Sequence, residues 1–191
     1  MKWNLDPTHS AAEFAVRHLM LSTVRGRFSK LEGSGETNPD GTLKSVSVSL
    51  DVASIDTHEP KRDEHLRSPD FFDATVHPKI TFRSTRIVGA ADDISITGDL
   101  TIRGVTKPVT LKGEFTAPIT DPWGNQRAAL SVTEKISRKE WGLTWNMALE
   151  AGGVVVGDEV KITVDVQAVA VKPAVPADVA ATSTAGALVT A

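Results

Sequence analysis

The chain has 191 residues, which suits one domain or one domain with a tail. A formal net charge of −3 gives no general basic surface, so we expect no nucleic-acid partner, and the absence of cysteine excludes disulfides, thiolate zinc sites and cysteine nucleophiles. No segment approaches the ~18 apolar residues of a membrane span, and the N-terminus lacks the apolar segment of a secretory signal, so we expect a soluble cytoplasmic protein.

Period-two alternation of apolar and polar residues, which is typical of β-strands, recurs along the chain. Each such segment places one set of apolar residues on one face of a predicted strand. In chain order these sets are Phe14, Val16, His18 and Met20; Val46, Val48, Leu50 and Val52; Ile80 and Phe82; Ile94, Ile96, Leu100 and Ile102; Val109, Leu111 and Phe115; Leu130, Val132 and Ile136; and Val160, Ile162, Val164 and Val166.

Turn residues separate the alternating segments, among them Asn38-Pro39-Asp40-Gly41, Gly104 and Gly152-Gly153. Strands at spacings of roughly 10–15 residues with short turns predict an antiparallel meander, closed as a barrel or folded as a sandwich. We count about eight strands, so the predicted fold class is all-β. Residues 1–171 would form this domain, and the Ala/Pro/Thr-rich residues 172–191 would form a mobile C-terminal tail.

One segment of the charged stretch "THEPKRDEHLRSPDFF" (57–72) is predicted to be helical, over residues 60–68. Pro60 suits a first helical position, and Pro69 disfavours helix at the residue before it. Asp63 and Arg67 would form an i,i+4 pair on this helix. A second short turn is predicted over residues 137–141.

The sequence contains none of the catalytic or metal-binding motifs that we considered. It has no G-x-S-x-G nucleophile motif and no glycine-rich phosphate loop. Its five histidines are scattered, without an H-x-H or H-E-x-x-H arrangement. We therefore predict no catalytic residues, no metal site and no cofactor.

The apolar strand faces leave two alternatives open. Eight strands close a barrel that is just wide enough either to pack its own side chains or to hold one small ligand. Alternation identifies the inward face, but it does not show whether opposite faces meet. From the residues alone, a filled core is the simpler interpretation.

Four ordered blocks resemble the YceI-like family, also called polyisoprenoid-binding proteins. They are "WNLDPTHSAAEFAVRHLMLSTVRGRF" (3–28), "SIDTHEPKRDEHLRSPDFFDATVHPKITFRST" (54–85), "GDLTIRGVTKPVTL" (98–111) and "SRKEWGL" (137–143). With the later "VGDEVKITVDVQA" they span residues 3–168. The resemblance implies an extended, lipocalin-like antiparallel barrel whose apolar interior holds a long-chain isoprenoid or similar amphiphilic lipid, such as a polyprenyl lipid or isoprenoid quinone. It implies binding, in transport or storage, and no enzymatic activity.

On this reading, the ligand contacts come from inward-facing apolar residues and from the aromatic residues beside them. The charged segment would be a helical cover at the barrel mouth, tied to the rim by Arg62, Asp63 and His65, with His18 and Arg17 as partners. The predicted ligand-binding residues are Phe14, Val16, Met20, Phe28, Val48, Leu50, Phe71, Phe72, Ile80, Phe82, Leu100, Ile102, Trp141 and Leu143.

Two other functions remain open at this point. One is an enzyme that acts on an isoprenoid-like lipid, with His18, His65 or Asp63 as acid–base groups. The other is a protein-interaction barrel with a filled core, which predicts no continuous cavity. Pairing of two copies through barrel edges, giving a homodimer, is a further expectation.

Overall fold

A computed structural model describes residues 1–150 and 152–172. The predicted C-terminal tail, apart from Lys172, lies outside the described residues. Within them, eleven strand segments form one antiparallel sheet. The segments are β1 (Lys2–Leu5), β2 (Ala11–His18), β3 (Ser22–Phe28), β4 (Leu31–Thr37), β5 (Leu43–Asp51), β6 (Ile55–Asp56), β7 (Lys79–Ala90), β8 (Asp93–Ile102), β9 (Val105–Thr120), β10 (Gln126–Ser137) and β11 (Val156–Ala170).

The eleven segments make eight barrel strands, because three strands are each interrupted once. β1 and β2 follow each other along β11 on either side of a 3₁₀ turn, Pro7–His9. β3 and β4 are separated by two residues, and β5 and β6 by the 3₁₀ turn Val52–Ser54. Pairing of both β1 and β2 with β11 closes the sheet on itself. The predicted all-β, lipocalin-like antiparallel barrel of about eight strands is confirmed.

Strand β8 shows why this sequence forms a barrel with an apolar interior. Its apolar residues Ile94, Ile96, Leu100 and Ile102 are buried, and the residues between them are more exposed. Alternation continues through Gly98, where an added Cβ would overlap the ring carbons of Phe82 on the neighbouring strand. The glycine therefore gives space to the Phe82 ring, although the register partner of Phe82 is Leu100, two residues farther along β8.

The two ends of the barrel differ in how they are covered. One end carries the β2–β3 and β8–β9 turns, helix α1 (Pro60–Arg67) and the 3₁₀ turn Arg138–Trp141; we call it the helix end. The other end carries β1 and the β4–β5, β7–β8 and β9–β10 turns; we call it the N-terminal end. Neither α1 nor any other helix within residues 1–150 and 152–172 has the length and apolar character required to cross a bilayer.

A charged cluster fastens the barrel wall where β1, β10 and β11 meet. The Arg127 guanidinium donates to Asp121 Oδ2 at 2.9 Å, to Asp6 Oδ2 at 3.0 Å and to Gln167 Oε1 at 3.1 Å. These contacts favour the charged carboxylates. The hydrogen bond from Arg127 lowers the pKa of Asp121 to about 2, and hydrogen bonds from Thr8, His9 and Arg127 hold the pKa of Asp6 well below its usual range.

Candidate ligand-binding cavity

The barrel interior contains a large apolar cavity. Its empty volume is about 1360 Å³, including the part that opens to solvent. Of the described residues that line it, only Glu13 and Arg138 are charged. Because the cavity lies between the inward faces, the filled-core interpretation does not hold for this barrel.

Most of the residues predicted to contact a ligand lie on the wall of this cavity. They come from five strands, from the segment after α1 and from the loop after the 3₁₀ turn Arg138–Trp141. The twelve are Phe14, Val16, Phe28, Val48, Leu50, Phe71, Phe72, Ile80, Phe82, Leu100, Ile102 and Leu143.

Met20 does not lie on the cavity wall, so its predicted place among the lining residues is wrong. The period-two alternation of β2 continues through Met20 in the sequence, but β2 ends at His18. Leu19 and Met20 then adopt positive φ angles of 53° and 59°, which turn the chain into β3. The Met20 side chain is 55% exposed as a result.

Trp141 is also absent from the described lining, although it is one of the most buried side chains, with 2% exposed. Its indole N–H donates to the Leu100 carbonyl at 3.1 Å. The ring therefore packs against β8 at the helix end of the barrel. Short apolar motifs do not distinguish such a packing position from a lining position.

Other lining residues were recognised as inward-facing but not selected as ligand contacts. Leu111, Val132, Ile136 and the inward residues of β11 are examples, and alternation alone would have included them. Leu66 is different, because it reaches the cavity from helix α1. In the sequence, only the position of Leu66 beside His65 on one face of the predicted helix indicated that it could reach the cavity.

Arg138 is the one cationic residue on the described wall, and it was not among the predicted site residues. Only 4% of the residue is exposed. Its guanidinium donates to the carbonyls of Leu143, of Trp145 at 3.0 Å, of Gly157 at 2.9 Å and of Val156 at 3.3 Å. Burial lowers the pKa of Arg138 below its usual value. Its donors are occupied by the chain itself, so Arg138 joins the loop after β10 to β11.

Helix α1 lies at the helix end, where a cover was predicted, and two of the predicted rim residues bond it to the barrel; we call it the cover. Asp63, which is 6% exposed, accepts hydrogen bonds from Thr57 N at 2.9 Å and from Thr57 Oγ1 at 2.6 Å. Arg62 donates to Thr57 Oγ1 at 2.7 Å and to the Thr57 carbonyl at 2.8 Å. Thr57 directly follows β6, so it belongs to the barrel rim.

The predicted Asp63–Arg67 ion pair is wrong. Asp63 is bound to Thr57, and Arg67 donates to the carbonyls of Ala53 at 3.1 Å and Ile55 at 3.4 Å. Both charged side chains thus leave the helix surface and bond to the barrel. An exposed pair at i,i+4 is worth only ~0.3–0.5 kcal/mol, so tertiary hydrogen bonds to the barrel take precedence.

His65 lies in an aromatic cluster that joins the cover to the loop after β10. Its ring makes edge contacts with Phe71 and Trp145, at centroid distances of 5.1 and 4.8 Å. His65 Nε2 lies 2.9 Å from Asp70 Oδ2. His65 therefore contributes to the cover by packing and by a local hydrogen bond.

The predicted connection of the cover to His18 and Arg17 is not found among the described residues. Arg17 donates to Thr23 Oγ1 and to the carbonyls of Met20 and Leu21, all within or beside the β2–β3 turn. These short-range acceptors are close in sequence and already satisfy the guanidinium.

An aromatic chain continues from the cover into the barrel wall. The ring of Phe28 lies 5.9 Å from Phe72 and 5.9 Å from Phe14, measured between centroids. Phe14 in turn occupies the space above Gly26. Movement of the cover would therefore disturb the rings that form one side of the cavity.

The residues considered as acid–base groups do not meet inside the cavity. His18, Asp63 and His65 are not among the described residues that line it. Within residues 1–150 and 152–172, no group of three or more His, Cys, Asp or Glu side chains could hold a metal ion. The cavity wall thus presents apolar surface to whatever it encloses.

Comparison with known proteins places these features in a family. The sequence model of the YceI-like domain matches residues 3–168. Protein YceI of Shigella flexneri is 38% identical over 145 residues, which cover 74% of this chain and 75% of that protein.

Solved structures show the same architecture. A Campylobacter jejuni YCEI protein has a TM-score of 0.70 and 27% identity, covering 82% of this chain and 90% of its own. A polyisoprenoid binding domain from Saccharophagus degradans, implicated in plant cell wall breakdown, has a TM-score of 0.64 and 16% identity, covering 88% and 98%. The latter similarity is one of fold.

Proposed function

The chain belongs to the YceI-like family, and we propose that it binds a long-chain isoprenoid or a similar amphiphilic lipid inside the barrel, without catalysing a reaction on it. A polyprenyl lipid or an isoprenoid quinone has the required chemistry. The observation that supports this most is the apolar cavity, whose empty volume of about 1360 Å³ includes the part that opens to solvent. Transport or storage of the lipid in the cytoplasm is part of the proposal.

The chemistry of the wall favours recognition of a hydrocarbon chain over recognition of a head group. Burial of one methylene group is worth roughly 0.8 kcal/mol before losses. Ligands of moderate size retain about 0.3 kcal/mol per heavy atom, so a chain of about 30 carbons reaches roughly −9 kcal/mol. Micromolar affinity corresponds to about −8 kcal/mol. Hydrocarbon burial is sufficient, and selectivity for the head group should be loose.

The hydrogen bonds of Arg138 also favour recognition of a hydrocarbon chain over recognition of a head group. A cation on the wall of an apolar cavity is a natural candidate for binding a phosphate or carbonyl head group. Its guanidinium, however, donates to four backbone carbonyls and lies 3.6 Å from Asp158 Oδ1. We infer that Arg138 keeps the wall in place and leaves the ligand to apolar contacts.

The test is a lipid titration with a variant that fills the cavity and a matched control. Val132→Trp places a large ring at a lining position that is 4% exposed, whereas Thr133→Trp places the same ring on the outer face of the same strand. Native mass spectrometry with solanesol should show saturable one-to-one binding to the wild type and to Thr133→Trp. Val132→Trp should bind at least about tenfold more weakly, a loss of about 1.4 kcal/mol.

Thermal unfolding of both variants checks that the barrel remains folded. Equal solanesol affinity of folded Val132→Trp and Thr133→Trp would contradict binding in the cavity. Retention of bound lipid without chemical change, measured by its mass after extraction, separates binding from the enzymatic alternative.

A further inference from the structure

A second, smaller cavity lies toward the N-terminal end of the barrel. Its empty volume is about 450 Å³, including the part open to solvent. We call it the inner compartment. The inner compartment and the main cavity share four lining residues, so the two adjoin each other. These residues are Val46, Val48, Leu130 and Val166.

The inner compartment exists because small residues occupy positions that carry large apolar side chains elsewhere in the barrel. Gly33 and Gly35 of β4 line it, as do Ala128 of β10 and Ala168 of β11. Ala128 and Ala168 are direct cross-strand partners. Farther along the same two strands, the cavity is lined by valine, leucine and isoleucine. The interior is thus kept open at this end by the sequence.

Buried aromatic residues limit the compartment. Trp3 is 3% exposed, and its indole N–H donates to Thr37 Oγ1 at 3.0 Å. Phe115 is 8% exposed and also belongs to the lining. A buried hydrogen bond holds the Trp3 ring in one orientation, so Trp3 forms a fixed limit for anything that enters the compartment, and Phe115, the register partner of Leu130, forms part of the side wall.

We propose that the inner compartment receives the far end of the hydrocarbon chain and sets the longest chain that the protein binds well. This inference rests on the proposed function, since it assumes a lipid in the main cavity. Each isoprene unit that fits adds about five buried carbons, which raises affinity about tenfold. A unit that meets the Trp3 side chain gains nothing, so affinity should rise with chain length and then stop rising.

The residues of the compartment provide variants that move this limit in opposite directions. Ala128→Leu fills the compartment, and Phe115→Ala enlarges it. Gly33 and Gly35 are less suitable, since an added Cβ would lie about 2.9 and 3.0 Å from backbone carbonyl oxygens of β5. Ala117→Leu makes the same chemical change at an exposed position of β9 and is the matched control.

The experiment is native mass spectrometry with a mixture of linear polyprenols from farnesol to solanesol. The longest polyprenol that still gains affinity should be shorter by at least one isoprene unit for Ala128→Leu than for the wild type. It should be longer for Phe115→Ala and unchanged for Ala117→Leu. Ala168→Leu, on the neighbouring strand β11, replaces Ala128→Leu if thermal unfolding shows that the latter does not fold.

The outcomes separate this inference from the proposed function. Binding of no polyprenol to the wild type would overturn both. Wild-type binding with the same length limit in folded Ala128→Leu, Ala168→Leu and Ala117→Leu would overturn the inner compartment alone. A uniform loss of affinity for short and long polyprenols in Ala128→Leu would also contradict it, because a filled far end should leave farnesol binding intact.

Discussion

The substitution Asp63→Ala is expected to release helix α1 from the barrel rim. The carboxylate is the acceptor for both Thr57 N and Thr57 Oγ1, at 2.9 and 2.6 Å. Thr57 is itself 4% exposed. The variant therefore leaves two buried donors without their partner, at the point where the cover joins the barrel.

The magnitude follows from those two contacts. A hydrogen bond to a charged group is worth about 1.5–3 kcal/mol. Neighbouring bonds are not additive, and Arg62 still donates to the Thr57 carbonyl in the variant. We therefore expect Asp63→Ala to lower the free energy of opening the cover by about 3 kcal/mol. This is the lower end of the sum for the two hydrogen bonds from Thr57.

Urea denaturation and limited trypsin digestion measure this loss. Helix α1 contains Lys61, Arg62 and Arg67, so local opening exposes three cleavage sites. A loss of about 3 kcal/mol raises the population of an open cover about a hundredfold, since each 1.4 kcal/mol is tenfold. The matched control is Glu64→Ala, which removes an exposed carboxylate from the next residue of the same helix.

Solanesol uptake by Asp63→Ala should be faster than by Glu64→Ala, because the aromatic rings next to the cover line the cavity. Equal trypsin cleavage rates, urea midpoints and uptake rates for the two variants would contradict this prediction. In that case the cover would owe its position to the aromatic contacts alone.

Three further substitutions test other parts of the structure. Arg138→Met removes the donors of four backbone carbonyls and should destabilise the protein by about 3 kcal/mol or more in urea denaturation. Gly26→Ala adds a Cβ where the Phe14 ring lies, and overpacking of this kind costs about 1–3 kcal/mol by thermal or urea unfolding. Arg127→Gln should weaken the dependence of stability on acid pH. The hydrogen bond from Arg127 lowers the pKa of Asp121 to about 2, so the charged carboxylate stabilises the fold above pH 3.8. This stabilisation is lost as the pH falls toward 2.

Each of the three has an outcome that would contradict it. Wild-type urea stability of Arg138→Met would show that the carbonyls find other donors. Unchanged unfolding of Gly26→Ala would mean that Phe14 shifts without cost. Equal slopes of stability against pH for Arg127→Gln and the wild type, between pH 4 and 2, would show that Arg127 is not the main cause of the lowered pKa of Asp121.

The fold could be predicted from the sequence because period-two alternation is a local property. The inward face of each strand can be recognised from the residues of that strand alone, as β8 shows. The eleven segments still make eight strands, because three strands are each interrupted once. The end of β2 was not predictable in the same way. Met20 is apolar and continues the period-two pattern, but Leu19 and Met20 form a turn with positive φ, which sequence periodicity does not reveal.

The existence of the cavity could not be predicted from alternation. Alternation indicates which residues face inward, and the distance between opposite faces depends on strand number and stagger. The role of Arg138 was equally hidden, because its four acceptors are backbone carbonyls, which leave no trace in side-chain patterns. Asp63 was predicted at the rim, but its partner Thr57 depends on how the chain leaves β6.

Native mass spectrometry of freshly purified protein, followed by extraction and identification of any released lipid, tests lipid binding in the barrel most directly. The cavity predicts a one-to-one adduct whose mass is that of an intact, hydrocarbon-rich amphiphile, and its loss in Val132→Trp but not in Thr133→Trp. Protein that carries no such guest and takes up no solanesol on titration would contradict the proposal that the barrel is a lipid-binding site.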